Sequence, residues 1–308
     1  MTTAPLAQPA TPAADDRPLL EVRDLCVSYR TGRATSWRKT ATNVVDHVSF
    51  DIRPGETLAL VGESGSGKST IGRAILRLVD PAAGTITFDG REVTAFGRST
   101  PLSYRRDVQA VFQDPASSLN PRHTVGDAVT GPLRRHGRGD RAAREDAAAE
   151  AFRMVGLDPA LRLRYPMELS GGQRQRVAIA RAIALRPRLV VCDEAVSALD
   201  VSTQSQIVNL LADLQESTGI SFLFITHDLR LVRHIAQRTA VLESGRLVEC
   251  AKTEQLFRST RQPYTRRLLA AIPATDPEGR ERRRARRAAH RKAPPQENRE
   301  AGPLYTGE

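Results

Sequence analysis

The chain has 308 residues, enough for one large domain or two moderate ones around a buried core, and its 40% hydrophobic content excludes a wholly disordered polymer. A net charge of +11, from 46 Lys and Arg against 35 Asp and Glu, invites an anionic partner; yet eight cations face the single acid Glu281 between Gly279 and Ala293, so most of the surplus sits in a C-terminal appendage. Three widely separated cysteines, Cys26, Cys192 and Cys250, exclude a disulfide framework and a cysteine zinc site, and no apolar run reaches the roughly 18 residues that a membrane span requires.

Residues 1–17 are Ala/Pro/Thr-rich and read as a disordered leader, without the basic start and apolar centre of a signal peptide. A soluble, cytoplasmic chain is expected, any membrane role depending on a partner. Order begins at the alternating run Leu19 to Arg23. A basic segment, Thr31 to Asn43, carries the only Trp, Trp37, and reads as a surface excursion before a strand over Val45 to Ile52. The turn Arg53-Pro54-Gly55-Glu56 leads to a strand over Thr57 to Val61, then a Gly-rich loop and a helical run to Leu78. Between Arg122 and Met167 no strand-like run occurs, and Ala142 to Val155 is Ala/Glu/Arg-rich, which predicts a helical insertion in an α/β domain. The α/β pattern resumes with a strand over Leu189 to Cys192 and a helix over Thr203 to Gln215. That helix keeps Ile207, Leu210, Leu211 and Leu214 on one stripe, with Ser202 expected at its N-cap and Gly219 just past its end. A buried strand over Ile220 to Ile225 and a hairpin from Ala240-Val241-Leu242 with Arg246 to Glu249 complete the ordered part. The Arg-rich tail follows Pro277.

Three groups of residues carry chemistry. Gly62-Glu63-Ser64-Gly65-Ser66-Gly67-Lys68-Ser69-Thr70 matches the phosphate-loop pattern between a strand and a helix. Its glycines let backbone N–H groups converge on phosphate oxygens, Lys68 reaches the β- and γ-phosphates, and Ser69 suits Mg²⁺. Leu189 to Glu194 is an apolar strand ending in two carboxylates, where open α/β sheets bind ligands. Asp193 there suits Mg²⁺ or its water and Glu194 the attacking water; taken alone, the pair also fits a solvated strand end. Leu169-Ser170-Gly171-Gly172-Gln173 opens a helical run over Val177 to Leu185. A plain N-cap explains Ser170 but does not call for two glycines and Gln173.

In order along the chain, these segments resemble the ATP-binding subunits of ABC transporters, from about Leu19 to Val248. The resemblance adds a Q-loop glutamine, Gln113 in Val111-Phe112-Gln113-Asp114-Pro115, and a D-loop, Ser197-Ala198-Leu199-Asp200. It also adds a switch histidine, His227 in Ile225-Thr226-His227-Asp228. Tyr29 stands where the family places an aromatic that stacks on adenine, the alternative being ordinary strand packing. Alone, His227 reads as a strand-end surface residue and Gln113 as a polar loop residue; Cys192 reads as a small core hydrophobe. Gln113 to Arg122, Cys192 to Ser202, and Gln262-Pro263-Tyr264-Thr265-Arg266-Arg267-Leu268-Leu269 resemble the dipeptide/oligopeptide importer subfamily. The Thr31 to Asn43 insertion is similar to one in the second of its paired ATPase subunits.

The resemblance implies an α/β fold: a P-loop ABC-type ATPase domain over 18–250 with an antiparallel β subdomain and a helical signature subdomain at about 115–186. A C-terminal extension at 251–276 precedes the 277–308 tail. It implies ATP and Mg²⁺ as ligands, with Ser69, Gln113 and Asp193 at the metal, Glu194, His227 and Gln113 catalytic, and Asp200 coupling two sites. Ser170, Gly171, Gly172 and Gln173 would face a partner's ATP. Some relatives carry a C-terminal cysteine cluster that can hold iron–sulfur; no Cys follows Cys250, so no such cluster is expected. The implied partners are a second ATPase subunit, identical or different, two transmembrane permeases and, indirectly, a solute-binding protein, at the cytoplasmic membrane face. A non-transport ABC ATPase acting on nucleic acid or ribosomes, suggested by the Arg tail, and an exporter ATPase are the alternatives.

Overall fold

The computed structural model describes residues 17–31, 40–97, 99–114 and 119–272. The leader, most of the basic excursion, part of the Q-loop segment and the Arg-rich tail lie outside the described residues.

The first sheet is antiparallel, in the order β2-β1-β4-β5, with β1 Leu20–Thr31, β2 Thr40–Ile52, β4 Ala83–Phe88 and β5 Arg91–Glu92. β1 and β2 run further into the basic excursion than the alternation alone indicated, pairing as far as Thr31 with Thr40. The second sheet follows the order β10-β9-β3-β8-β7-β6. It contains β3 Thr57–Val61, β6 Val108–Phe112, β7 Leu189–Asp193, β8 Ser221–Thr226, β9 Arg238–Glu243 and β10 Arg246–Lys252. Four of its five pairings are parallel, β9/β3, β3/β8, β8/β7 and β7/β6, and the closing β9/β10 hairpin at the edge is antiparallel.

Parallel strands covered on both faces read as continuous apolar runs, and β3, β7 and β8 are buried at every position. Their side chains divide by the period of two. Leu58, Leu60, Leu189, Val191, Leu223 and Ile225 join the core shared with the antiparallel sheet and with Ile71, Ala74 and Ile75 of α1 (Lys68–Ile75). Ala59, Val61, Val190, Cys192, Phe222 and Phe224 face the opposite core, formed with the helices. Cys192 is thus an interior hydrophobe, its thiol pushed up to about 12 by burial.

After the short α2 (Leu102–Asp107) and β6, the chain enters the helical insertion: α3 Val125–Arg135, α4 Arg141–Met154, two 3-10 turns at Pro159–Leu163 and Pro166–Glu168, and α5 Gly171–Ile183. Phe152 of α4 and Val177 of α5 bury completely where these helices join the core. The next helix, α6, spans Val201–Thr218 and buries the expected stripe Ile207, Leu210, Leu211 and Leu214, ending on left-handed Gly219. Its N-cap is Asp200, not Ser202: the Asp200 carboxylate accepts the Thr203 N–H at 2.9 Å, while the Ser202 and Thr203 hydroxyls donate to it. The helix already begins at Val201, so Ser202 lies inside its first turn and its hydroxyl serves the Asp200 carboxylate instead of capping. α7 (Leu229–Ile235), α8 (Thr253–Ser259) and α9 (Pro263–Ala271) complete the described chain.

Register fixes the site. Val61 lies level with Thr226, Ile225 with Asp193, and Asp193 with Phe112. The carboxyl ends of β3, β8, β7 and β6 therefore form one edge, and the phosphate loop, His227, Asp193-Glu194 and Gln113 all leave the sheet from it.

Candidate nucleotide site

The phosphate loop runs from the end of β3 into α1. Gly67, at its helix end, has φ 103° and a left-handed conformation, and a Cβ there would lie 2.6 Å from the Val44 carbonyl oxygen. Only glycine fits such a turn. The buried Ser66 carbonyl accepts the Gly245 N–H at 3.0 Å, fastening the loop to the β9/β10 turn. Ser64 and Gly65 are exposed at its tip, and the Ser69 and Thr70 backbones open α1.

The Lys68 ammonium folds over the loop, donating to the carbonyls of Gly62 at 2.9 Å and Glu63 at 2.7 Å, with Ser66 Oγ at 3.4 Å. Burial holds its pKa below the usual lysine range, opposed by the nearby Glu194 and Asp193 carboxylates. Its positive charge is therefore poorly hydrated and available to an incoming anion.

Ser69 Oγ donates to Asp193 Oδ1 at 2.7 Å, joining residues that the sequence separates by more than a hundred positions. Burial raises the Asp193 carboxyl above its ordinary value, and the Ser69 hydrogen bond opposes that shift. A hydroxyl and a carboxylate facing each other are the hard oxygen donors that Mg²⁺ prefers, so this pair fits the metal implied by the sequence.

Beside them, Glu194 Oε1 lies 3.2 Å from His227 Nδ1. Glu194 has φ 49°, a left-handed conformation uncommon for a side chain of its size, and its N–H donates to the Ile225 carbonyl at 3.0 Å. That strained turn aims the carboxylate out of β7 toward the β8 end rather than along the strand. Gln113 is exposed one residue beyond β6, next to the β7 end. Tyr29 stands on β1, half-buried against the core shared with the antiparallel sheet.

The signature residues lie elsewhere. Ser170 caps α5 in a reciprocal pair: its Oγ accepts the Gln173 N–H at 3.2 Å and its own N–H donates to Gln173 Oε1 at 2.9 Å. Gln173 thus has a local capping role that the sequence reading did not give it. Gly171 sits beside Leu199, and a Cβ on Gly172 would come 2.8 Å from Thr203 Cγ2, so this helix start packs against the D-loop and α6 of its own chain. Ser170 remains exposed.

Two features were not anticipated. The Tyr264 hydroxyl, from α9, accepts the Glu63 N–H at 3.2 Å, bringing the C-terminal segment onto the phosphate loop. Cys26, Asp46 and His47 also converge, but Asp46 is ion-paired with Arg246 at 2.7 Å and Cys26 Sγ accepts the His47 backbone N–H.

Comparison with known proteins agrees with this geometry. Residues 45–197 match the ABC transporter family, and residues 248–302 match the oligopeptide/dipeptide transporter C-terminal region, a match that continues into the Arg-rich segment. A putative peptide import ATP-binding protein of Brucella ovis is 49% identical over 268 residues, covering 87% of this chain and 83% of the relative. The glutathione import ATP-binding protein GsiA of Salmonella typhimurium is 48% identical over 264 residues, covering 85% of this chain. The chain spans only 42% of the length of that relative. Among solved structures, the dimeric post-hydrolysis state of the ATP-binding cassette MJ0796, bound to ADP and Pi, superposes with a TM-score of 0.67 at 31% identity. That match covers 76% of this chain and 98% of the other. CbiO1 from Clostridium perfringens, part of the ABC transporter complex cbiONQ, gives 0.68 at 25% identity, over 78% and 90%. The chain belongs to the ABC transporter family of ATP-binding proteins, in its oligopeptide/dipeptide branch.

Proposed function

We propose that this chain is the ATP-hydrolysing subunit of an ABC importer and powers uptake of peptides or a related solute through two partner permeases at the cytoplasmic membrane face. The observation that carries this reading is the meeting of Lys68, the Ser69–Asp193 pair and the Glu194–His227 pair along one sheet edge. Among the described residues no helix is long and apolar enough to cross a membrane.

In this reading Gly62, Glu63, Ser64, Gly65, Ser66 and Gly67 wrap the β-phosphate with backbone groups, and the N-terminus of α1 adds positive potential. Lys68 exchanges its loop carbonyls for β- and γ-phosphate oxygens, Thr70 completes the ATP-binding segment after it, and Tyr29 stacks on adenine. Ser69, Asp193 and Gln113 would hold Mg²⁺, which when bound would offset negative charge on the phosphates. Glu194 orients the attacking water and accepts its proton, and His227, 3.2 Å away, bridges that carboxylate toward the γ-phosphate. The chemical step is mostly positioning and charge stabilisation.

Ser170, Gly171, Gly172 and Gln173 face away from their own phosphate loop in this reading and complete the pocket of a second ATPase subunit, identical or different. Asp200 links the two sites. Bonds from Ser170 and the following N–H groups to a γ-phosphate exist only with ATP bound, which gives the differential contact energy that a two-state closure needs. The ATPase unit takes in residues 18–250, its helical subdomain about 115–186, followed by the extension at 251–276.

Co-purification with two permeases, followed by ATPase assays with a substrate-loaded solute-binding protein, tests the proposal. Stimulation of turnover by the loaded binding protein is expected. Turnover indifferent to permeases and binding protein alike would contradict it.

A further inference from the structure

α9 belongs to the C-terminal segment, outside the ATPase unit, yet its first turn reaches the nucleotide site. Tyr264 is buried, its ring in the main core, and its hydroxyl oxygen accepts the N–H of Glu63 at 3.2 Å. The Arg267 guanidinium lies over that ring, 5.7 Å from its centroid, and pairs with Glu243 at 3.3 Å. Glu243 ends β9, the strand beside β3 from which the loop springs. The ring that carries the hydroxyl is thus held twice: by the core, and by Arg267, which lies over it and ties α9 to the strand beside β3.

The bond falls on an informative peptide. A planar trans peptide directs its N–H and C=O in opposite directions, so fixing the Glu63 N–H on Tyr264 also fixes the Gly62 carbonyl on the other side. That carbonyl accepts from Lys68 Nζ at 2.9 Å. One peptide unit therefore carries the tyrosine at one end and the phosphate-binding lysine at the other.

We propose that Tyr264 is a positioning residue of the nucleotide site: by holding the Gly62–Glu63 peptide it preorganises the phosphate loop and Lys68 for ATP, making the C-terminal segment a working part of the pocket. This rests on the ATP-binding reading of the loop. A loop ordered beforehand loses less freedom when ligand binds. Once bound, the phosphates hold the loop themselves, so the effect falls on affinity rather than on the chemical step.

The test uses the full chain carrying Tyr264→Phe, which removes only the hydroxyl and keeps the ring in the core and under Arg267. Calorimetric titration with MgATP is expected to show a Kd raised about three- to tenfold, the loss of one modest hydrogen bond. KM rises in parallel, while kcat changes less than about twofold. Hydrogen exchange of peptides covering residues 62–67 quickens at the Glu63 amide in the nucleotide-free protein. A Kd equal to that of the parent chain, or a raised Kd with unaltered exchange at Glu63, overturns the proposal, whatever the variant's melting temperature. If the parent chain itself fails to bind MgATP, the ATP-binding reading fails first, a different result from parent binding that the variant matches.

Discussion

Ser69 and Asp193 stand 2.7 Å apart although one opens α1 and the other ends β7. The pairing follows from the parallel register that brings β3, β8 and β7 to a common edge. Two oxygen donors facing each other here make a metal requirement the first consequence. Ser69→Ala should raise the Mg²⁺ concentration for half-maximal turnover by at least about tenfold, and chelation with EDTA should abolish hydrolysis in both proteins. Titrating turnover against free Mg²⁺ checks both.

Lys68 holds the loop before nucleotide arrives, through Gly62 and Glu63, and is expected to hold phosphate afterwards. Lys68→Ala should lower kcat/KM for ATP by at least about a hundredfold, or roughly 2.7 kcal/mol of transition-state stabilisation. Steady-state kinetics with circular dichroism as a fold control measures this. Wild-type kinetics would take the phosphate-loop role from this segment.

Much of this site is legible in the sequence because its chemistry is local in the chain. Lys68 and Ser69 follow a strand within one run, and Asp193-Glu194 end another. The strands themselves declare their burial by unbroken apolar stretches such as Leu189 to Cys192. Contacts between distant segments are not legible. Nothing local in Gln262-Pro263-Tyr264 tells that its ring crosses to Glu63, two hundred residues earlier, because that meeting depends on where α9 packs. The N-cap of α6 escapes the sequence for a subtler reason. Both Asp200 and Ser202 are good caps, and only the backbone shows that the helix begins at Val201. Gln173 likewise has a capping bond that a motif alone does not reveal.

The Asp200 cap makes a pH-dependent prediction. Hydrogen bonds from Ser202 and from Thr203 hold its carboxyl well below the ordinary aspartate range in the folded protein. A carboxylate with a depressed folded pKa contributes stability that is fully present above its unfolded value, about 3.9, and is lost as pH falls through the folded one. Asp200→Ala should therefore lower Tm by about 2–4 °C at pH 7, with the gap to the parent narrowing in strong acid. Asp200→Asn, which can still accept the Thr203 N–H, should recover most of the loss. Thermal melts taken from pH 7 down through the unfolded value and into the acid range below it read the effect.

If Ser170, exposed at the cap of α5, completes a second subunit's pocket as proposed, two copies, or this chain and a second ATPase subunit, close on ATP. With hydrolysis blocked by Glu194→Gln, MgATP should shift the scattering mass from monomer toward dimer, and Ser170→Ala should oppose the shift by about tenfold in nucleotide concentration. Small-angle scattering across an ATP titration, with the chain alone and with its partner subunit, measures the change.

In the proposed mechanism Glu194, aimed from the end of β7 and 3.2 Å from His227, drives hydrolysis of ATP held by the neighbouring loop. Its most direct measurement pairs equilibrium binding of MgATP with single-turnover hydrolysis in the parent chain and in Glu194→Gln. Binding within about twofold of the parent, with hydrolysis slowed at least about a hundredfold, is the expected result. Hydrolysis at the parent rate in Glu194→Gln would contradict the claim and move the catalytic base elsewhere.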